Sequence, residues 1–150
     1  LGSGAGSIPA RLSRKPCCFE RNFDLLRACR GRGLRPVQAD MESGLPVRDC
    51  SCDAVVLVDV IEHVRNQDRL YAEIRRVLKP GGTLVFFTPP YDSIRWILAE
   101  KLHFLLLRTA ADHIAPQTEE SIRYNLSAWF KDIEVCRLNW NLTMAVTARK

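Results

Sequence analysis

The stretch Asp53-Ala54-Val55-Val56-Leu57-Val58 limits the fold more than any other part of the chain. It is nearly all apolar and ends at Asp59. A strand that is apolar at consecutive positions, not alternate ones, is expected to be buried on both faces, as in a parallel sheet covered by helices. Residues 83–88 repeat the pattern and are closed by Pro89-Pro90. Between the two runs, residues 66–78 place Leu70, Ile74, Val77 and Leu78 at helical spacing, and Lys79-Pro80-Gly81-Gly82 stops that helix.

The same alternation holds upstream. Residues 16–20 read as a short strand ending in the carboxylate of Glu20. Residues 22–30 read as a helix with Phe23, Leu25, Leu26 and Cys29 on its apolar face, ended by Gly31 and Gly33. Residues 35–39 form the next strand, Asp40 lies just past it, and residues 41–52, with Gly44 and Pro46, form a connection. Downstream, Thr118 can cap a helix over 119–130. Residues 133–138 and 143–148 read as two strands joined by Asn139-Trp140-Asn141, a hairpin. Strand–helix alternation predicts an α/β domain: a doubly wound, mostly parallel sheet with helices on both faces, closed by a C-terminal antiparallel hairpin. Ligands of such sheets bind at the C-terminal strand ends. Glu20, Asp40 and Asp59 all sit at such ends.

The first six residues, Leu1-Gly2-Ser3-Gly4-Ala5-Gly6, form a G-x-G-x-G turn followed by Ser7 and Pro9, a helix cap and a first-turn proline. A loop feeding a helix start gathers backbone N–H groups that can hold an anion, and glycines let a ligand approach the backbone. Such a loop ordinarily follows a buried strand. The sequence opens on the loop, so the first strand is expected to be missing and the chain to be a fragment. That strand would lie between those at 16–20 and 53–59, and its loss is expected to lower stability and cofactor affinity.

The chain has 150 residues, enough for one domain with one core. It carries a net charge of +5, but Lys and Arg are scattered, which argues against a nucleic-acid surface. Cys17, Cys18, Cys29, Cys50, Cys52 and Cys136 lack zinc-knuckle spacing and are read as reduced thiols of a cytoplasmic protein. Asn125-Leu126-Ser127 and Asn141-Leu142-Thr143 match the glycosylation pattern with no signal peptide to expose them. No run reaches the ~20 apolar residues of a membrane helix. No metal site is read from the sequence.

Taken together, the motifs resemble the class I S-adenosylmethionine-dependent methyltransferases, in particular the small-molecule branch with a type 11 domain. The matching residues are the glycine loop, Glu20, Ala39-Asp40-Met41, Leu45-Pro46, Asp53, Val58-Asp59-Val60-Ile61-Glu62-His63-Val64 and Leu78-Lys79-Pro80-Gly81-Gly82. The resemblance covers residues 1–90 closely. It implies a Rossmann-like fold, S-adenosyl-L-methionine as cofactor and a small-molecule methyl acceptor, with no nucleic acid. It implies that Gly2, Ser3, Gly4 and Gly6 approach the methionine part of the cofactor and that Glu20 accepts from both ribose hydroxyls. Asp40 would accept from the adenine amino group beside the Met41 backbone, and Asp59 would line the methionine end. The run from Gly2 to Glu20 is shorter than the family's, so the first helix must be short. Asp24 is a second ribose candidate; Glu20 is preferred because Leu25 and Leu26 then fall where the family's helix buries its leucines.

Methyl transfer needs in-line geometry and at most a base for an O–H or N–H. His63, after Glu62 at a helix entry, and His113, in Asp112-His113-Ile114, are the candidate bases; capping or packing competes for His63, and His103 is read as a partly buried helix residue. Thr88-Pro89-Pro90-Tyr91 looks like the box of amino-group methyltransferases but follows the wrong strand, and it is read as a strand terminator. Two other functions compete. A nicotinamide-dependent Rossmann enzyme is disfavoured by G-x-G-x-G in place of G-x-G-x-x-G. A non-catalytic, methyltransferase-like binding subunit stays open. Residues 91–116 are expected to form a lid or substrate insertion within a single domain of residues 1–150. Its apolar run 94–108 admits three readings: a wide core-facing helix, a lid shaping an apolar acceptor pocket, or a membrane-surface contact.

Overall fold

A computed structural model describes residues 1–11, 16–107 and 113–150, in two compact units, residues 1–48 and 49–150.

In the first unit the glycine loop runs into a single 3-10 turn, Pro9–Arg11. Strand β1 (Cys17–Glu20) pairs in parallel with β2 (Arg35–Gln38), Glu20 opposite Gln38. Helix α1 (Phe23–Gly31) links them. The Asn22 side chain caps α1 by accepting from the N–H groups of Asp24 and Leu25. Gly33, at φ 69°, turns the chain out of it. Leu26 and Cys29 are buried, whereas Phe23, expected on the apolar face, is 62% exposed. Position 23 opens the helix, a turn short of the face that Leu26 and Cys29 bury. Cys18, Cys29 and Leu34 form the small core, with Ala10 against it.

The second unit is a four-stranded mixed sheet in the order β3-β4-β6-β5. Strands β3 (Cys52–Val58) and β4 (Leu78–Thr88) are parallel and joined through α2 (Gln67–Val77). The last strands, β5 (Lys131–Leu138) and β6 (Thr143–Arg149), are antiparallel, with β6 against β4. Asn139, Trp140 and Asn141 turn that hairpin at φ 50°, 61° and 71°, the left-handed region that Asn tolerates. The capping box of Thr118 and Ser121 starts α4 (Glu119–Ser127) as expected.

One face of this sheet carries the core. Val55, Leu84 and Ala148 lie in one register row, Leu57, Phe86 and Val146 in the next, and all are buried. Leu70, Tyr71, Ile74 and Val77 of α2 and Ile122 and Leu126 of α4 are buried too. Val56 is 37% exposed, and Val85 and Phe87 are half-buried. The expectation that β3 and β4 are buried on both faces is therefore corrected. Their apolar runs are continuous, but burial alternates with the pleat because one face is packed more closely than the other.

Helix α3 (Ile94–Leu107) brings the second correction. No residue of it with a described side chain is buried, and Ile94, Leu98, Leu102 and Leu105 are more than half exposed. The core-facing reading of this run fails. Polar bonds tie the first half of α3 down: the buried Ser93 just before it donates to the Asn141 carbonyl at 2.7 Å, and Tyr91 donates to Glu100 at 2.9 Å. His103 is exposed, not partly buried. Arg108 and Asp112 lie outside the described residues.

Candidate functional site

The sequence-predicted residues fall into two groups, one in each unit. In the first, Gly2, Gly4 and Gly6 all adopt positive φ, 59°, 51° and 78°. A side chain at Gly4 would meet nothing within 4 Å, so this part of the loop opens onto space. At Gly6 a Cβ would lie 2.6 Å from Leu34 Cδ1 and 2.9 Å from Cys29 Sγ. The two glycines thus have different physical reasons: one faces a space that a ligand can use, the other a packed core. Ser3 ties the loop to β1 through its N–H to the Phe19 carbonyl at 3.1 Å.

Glu20 completes this group. Its Oε2 accepts from the Gly4 N–H and its Oε1 from the Asn22 N–H, both at 3.0 Å. A carboxylate has about four acceptor positions, so each oxygen keeps capacity for a hydroxyl. Asp24 is exposed in the first turn of α1, where its N–H donates to Asn22 Oδ1 at 2.9 Å. Asp40 follows β2; its Oδ1 accepts from the Glu42 N–H at 3.0 Å, and the neighbouring Ala39 N–H donates to the Glu20 carbonyl at 3.2 Å. Met41 follows in a turn. A positive-φ glycine beside open space, Gly4, and a carboxylate braced by backbone donors fit the ribose and amino-acid parts of S-adenosylmethionine.

In the second unit Asp59 closes β3 at φ 50°, its N–H held by the Phe87 carbonyl at 3.0 Å. Burial raises its carboxyl pKa, against the pull of His113 and His63. A 3-10 turn, Ile61–His63, follows. His63 and His113 meet edge to face with ring centroids 4.9 Å apart. The N–H groups of Ile114 and Ala115 both donate to the Glu62 carbonyl, at 3.0 and 2.9 Å, which fixes this pairing.

Sequence reasoning gave no role to two members of the second group, Glu62 and Tyr91, and placed a third, Trp96, only in the lid. Glu62 stands inside the motif at residues 58–64, which assigns it no role; its side chain is wholly buried. Tyr91, in the box read as a terminator, hydrogen-bonds His113 Nδ1 through its hydroxyl. Trp96 stacks on the His113 ring, centroids 6.4 Å apart at 29°. Only the Glu62-His63 dipeptide and the Pro-Pro-Tyr box signalled them; the contacts themselves are tertiary.

Burial raises the Glu62 pKa, with Asp59 adding to it; the backbone N–H of Glu62, the bond from Thr88 at 3.0 Å and the nearby His63 only partly oppose this. The folded chain therefore binds this proton more tightly than the unfolded one, and the ionised carboxyl costs stability once pH rises above the ordinary carboxyl range. Glu62→Gln is expected to raise the melting temperature at neutral pH. That gain should shrink as pH falls below the ordinary carboxyl pKa, where Glu62 is protonated in both states. A gain independent of pH would contradict the assignment.

Residues 1–86 match the model of a methyltransferase domain family. The chain is 34% identical to a ubiquinone/menaquinone biosynthesis C-methyltransferase of Acidiphilium cryptum, over 69% of this chain and 45% of that protein. It is 29% identical to a dimethylglycine N-methyltransferase of Parasynechococcus marenigrum, over 94% of this chain and 51% of that one. The chain thus spans about half the length of the curated relatives it matches. Among solved structures it superposes on a SAM-dependent methyltransferase of Thermotoga maritima with a TM-score of 0.82 at 19% identity, covering 99% of this chain and 79% of that one. A SAM-dependent methyltransferase of Archaeoglobus fulgidus gives 0.80 at 16% identity, covering 99% and 83%.

Proposed function

The chain belongs to the methyltransferase-domain family, whose cofactor is S-adenosylmethionine, and on that premise we propose that it carries out methyl transfer to a small-molecule acceptor. The observation that carries the cofactor half is the Glu20 carboxylate, braced by the Gly4 and Asn22 N–H groups at the end of β1. When bound, S-adenosylmethionine supplies an electrophilic methyl group on a sulfonium. The chain's own residues hold and orient: the open side of Gly4 admits the ligand's approach, Glu20 is assigned to the ribose hydroxyls, and Asp40 to the adenine amino group. Asp59 is assigned to the methionine end. His63 and His113 are imidazoles able to accept an acceptor's proton. Relatives named as a ubiquinone/menaquinone biosynthesis C-methyltransferase and a dimethylglycine N-methyltransferase support a small acceptor over a macromolecule. Residues 91–116 serve as the acceptor-side lid of a single methyltransferase domain, a reading supported by Trp96 resting on His113 while the outer face of α3 stays exposed.

Calorimetry with S-adenosylmethionine, S-adenosylhomocysteine and NAD tests the cofactor. Binding of the first two and not the third is expected; NAD binding alone would restore the nicotinamide reading, and cofactor binding without turnover of any acceptor would favour the non-catalytic one. The lid has its own test. Trp96→Ala is expected to lower acceptor affinity or turnover several-fold with cofactor affinity nearly constant. Joint loss of stability and cofactor binding would instead make α3 structural.

A further inference from the structure

We infer that Glu62, His63 and His113 form a binding site for one divalent transition-metal ion. Each offers a ligand atom, and the three atoms lie within 4.8 Å of one another. Donors on a common ion at about 2.1 Å sit roughly 3–3.5 Å apart, so the three atoms must draw in by at most about 1–2 Å to share one.

Glu62 supplies the independent observation. Its carboxylate is 0% exposed, Oε2 accepts from Thr88 Oγ1 at 3.0 Å, and Oε1 has no hydrogen-bond partner. A buried carboxylate oxygen without a donor is costly. A cation between it and two imidazoles removes that cost.

The His113 ring is already set for the purpose. Tyr91 donates its hydroxyl proton to Glu100 Oε1 at 2.9 Å, so the same Tyr91 oxygen accepts from His113 Nδ1–H. That fixes the tautomer whose basic nitrogen is Nε2, the form a metal needs. A carboxylate behind the second ring nitrogen is the usual support of a metal-binding imidazole, and here it acts through a tyrosine. Trp96 stacked on one side and Tyr91 edge-on, at 5.7 Å, hold the ring plane. His63 is exposed, which gives an ion its way in from solvent. Two imidazoles with one carboxylate suit Mn²⁺, Fe²⁺, Co²⁺ or Zn²⁺ better than Mg²⁺ or Ca²⁺, which prefer all-oxygen ligands.

Ion binding stands on this cluster and not on the methyltransferase reading. Its use does rest on that reading. Coordination would occupy the imidazole lone pairs, so the histidines would hold a Lewis acid that acidifies an acceptor hydroxyl in place of taking the proton themselves.

The test uses the whole chain without cofactor. Mn²⁺ is the first probe because it is indifferent to the six thiols, and loss of its free electron-paramagnetic-resonance signal reports binding. One Mn²⁺ per chain is expected, with affinity reduced at least 10-fold in His63→Ala and in Glu62→Gln, and several-fold in Tyr91→Phe. Far-ultraviolet circular dichroism checks that each variant is folded. Co²⁺ should give visible d–d bands with no thiolate charge-transfer band. The site is refuted if the parent chain binds neither ion, or if folded His63→Ala and Glu62→Gln bind as tightly as the parent. S-adenosylmethionine calorimetry reads the cofactor reading separately, so either can fail alone.

Discussion

Gly6→Ala is expected to destabilise the chain by about 2–5 kcal/mol, a large share of the 5–15 kcal/mol that holds a typical domain folded. Two effects add. The backbone at φ 78° is open to glycine and costs an L-residue about 1–2 kcal/mol. The new methyl would also lie 2.6 Å from Leu34 Cδ1 and 2.9 Å from Cys29 Sγ, with the Cys29 backbone at 3.4 Å behind it. Cys29 and Leu34 are both buried and belong to the same small core, so neither can swing clear without opening it. Overpacking of this kind costs about 1–3 kcal/mol. Gly4→Ala is the control. It has the same sign of φ, at 51°, and nothing within 4 Å. It should lose only the backbone term. Urea denaturation of both variants separates the two contributions, and equal midpoints would show that packing at Gly6 was misjudged.

This contrast could not be read from the sequence. Gly4 and Gly6 are alike as letters, and only the fold shows that one faces space and the other Cys29. What was legible is what local chemistry decides. Asn139-Trp140-Asn141 announced a turn between two apolar runs, Thr118 announced a helix start, and Asn22 stands where α1 begins. The carboxylates at strand ends were legible for the same reason, since Glu20, Asp40 and Asp59 follow apolar runs directly. Three things were not. The continuous apolar letters of β3 do not reveal that Val56 faces outward, because exposure depends on what covers the sheet. The apolar letters of α3 do not reveal an exposed helix. The Glu62–His63–His113 group joins residues 50 positions apart, and its support from Tyr91 and Trp96 depends on how α3 leaves the sheet.

The second large effect concerns Glu20. Glu20→Ala is expected to weaken S-adenosylmethionine binding about 5- to 150-fold, from the roughly 1–3 kcal/mol cost of leaving buried hydrogen-bond partners unpaired. Part of that loss would be indirect. Removing the carboxylate also frees the Gly4 and Asn22 N–H groups, so the glycine loop loses its brace to β1 and α1 loses support at its cap. Glu20→Gln separates the parts. Its amide oxygen still accepts from one N–H, while its NH2 faces the other N–H as a mismatched donor. Direct ribose contact makes a further claim that a bracing role does not. A cofactor analogue lacking the ribose hydroxyls should bind the parent chain and Glu20→Ala with much more similar affinities than S-adenosylmethionine does. If Glu20→Ala weakens both ligands by the same factor, the carboxylate acts only through the loop. If neither is weakened and the chain stays folded, the ribose contact moves to Asp24, which lies one turn further on and is exposed.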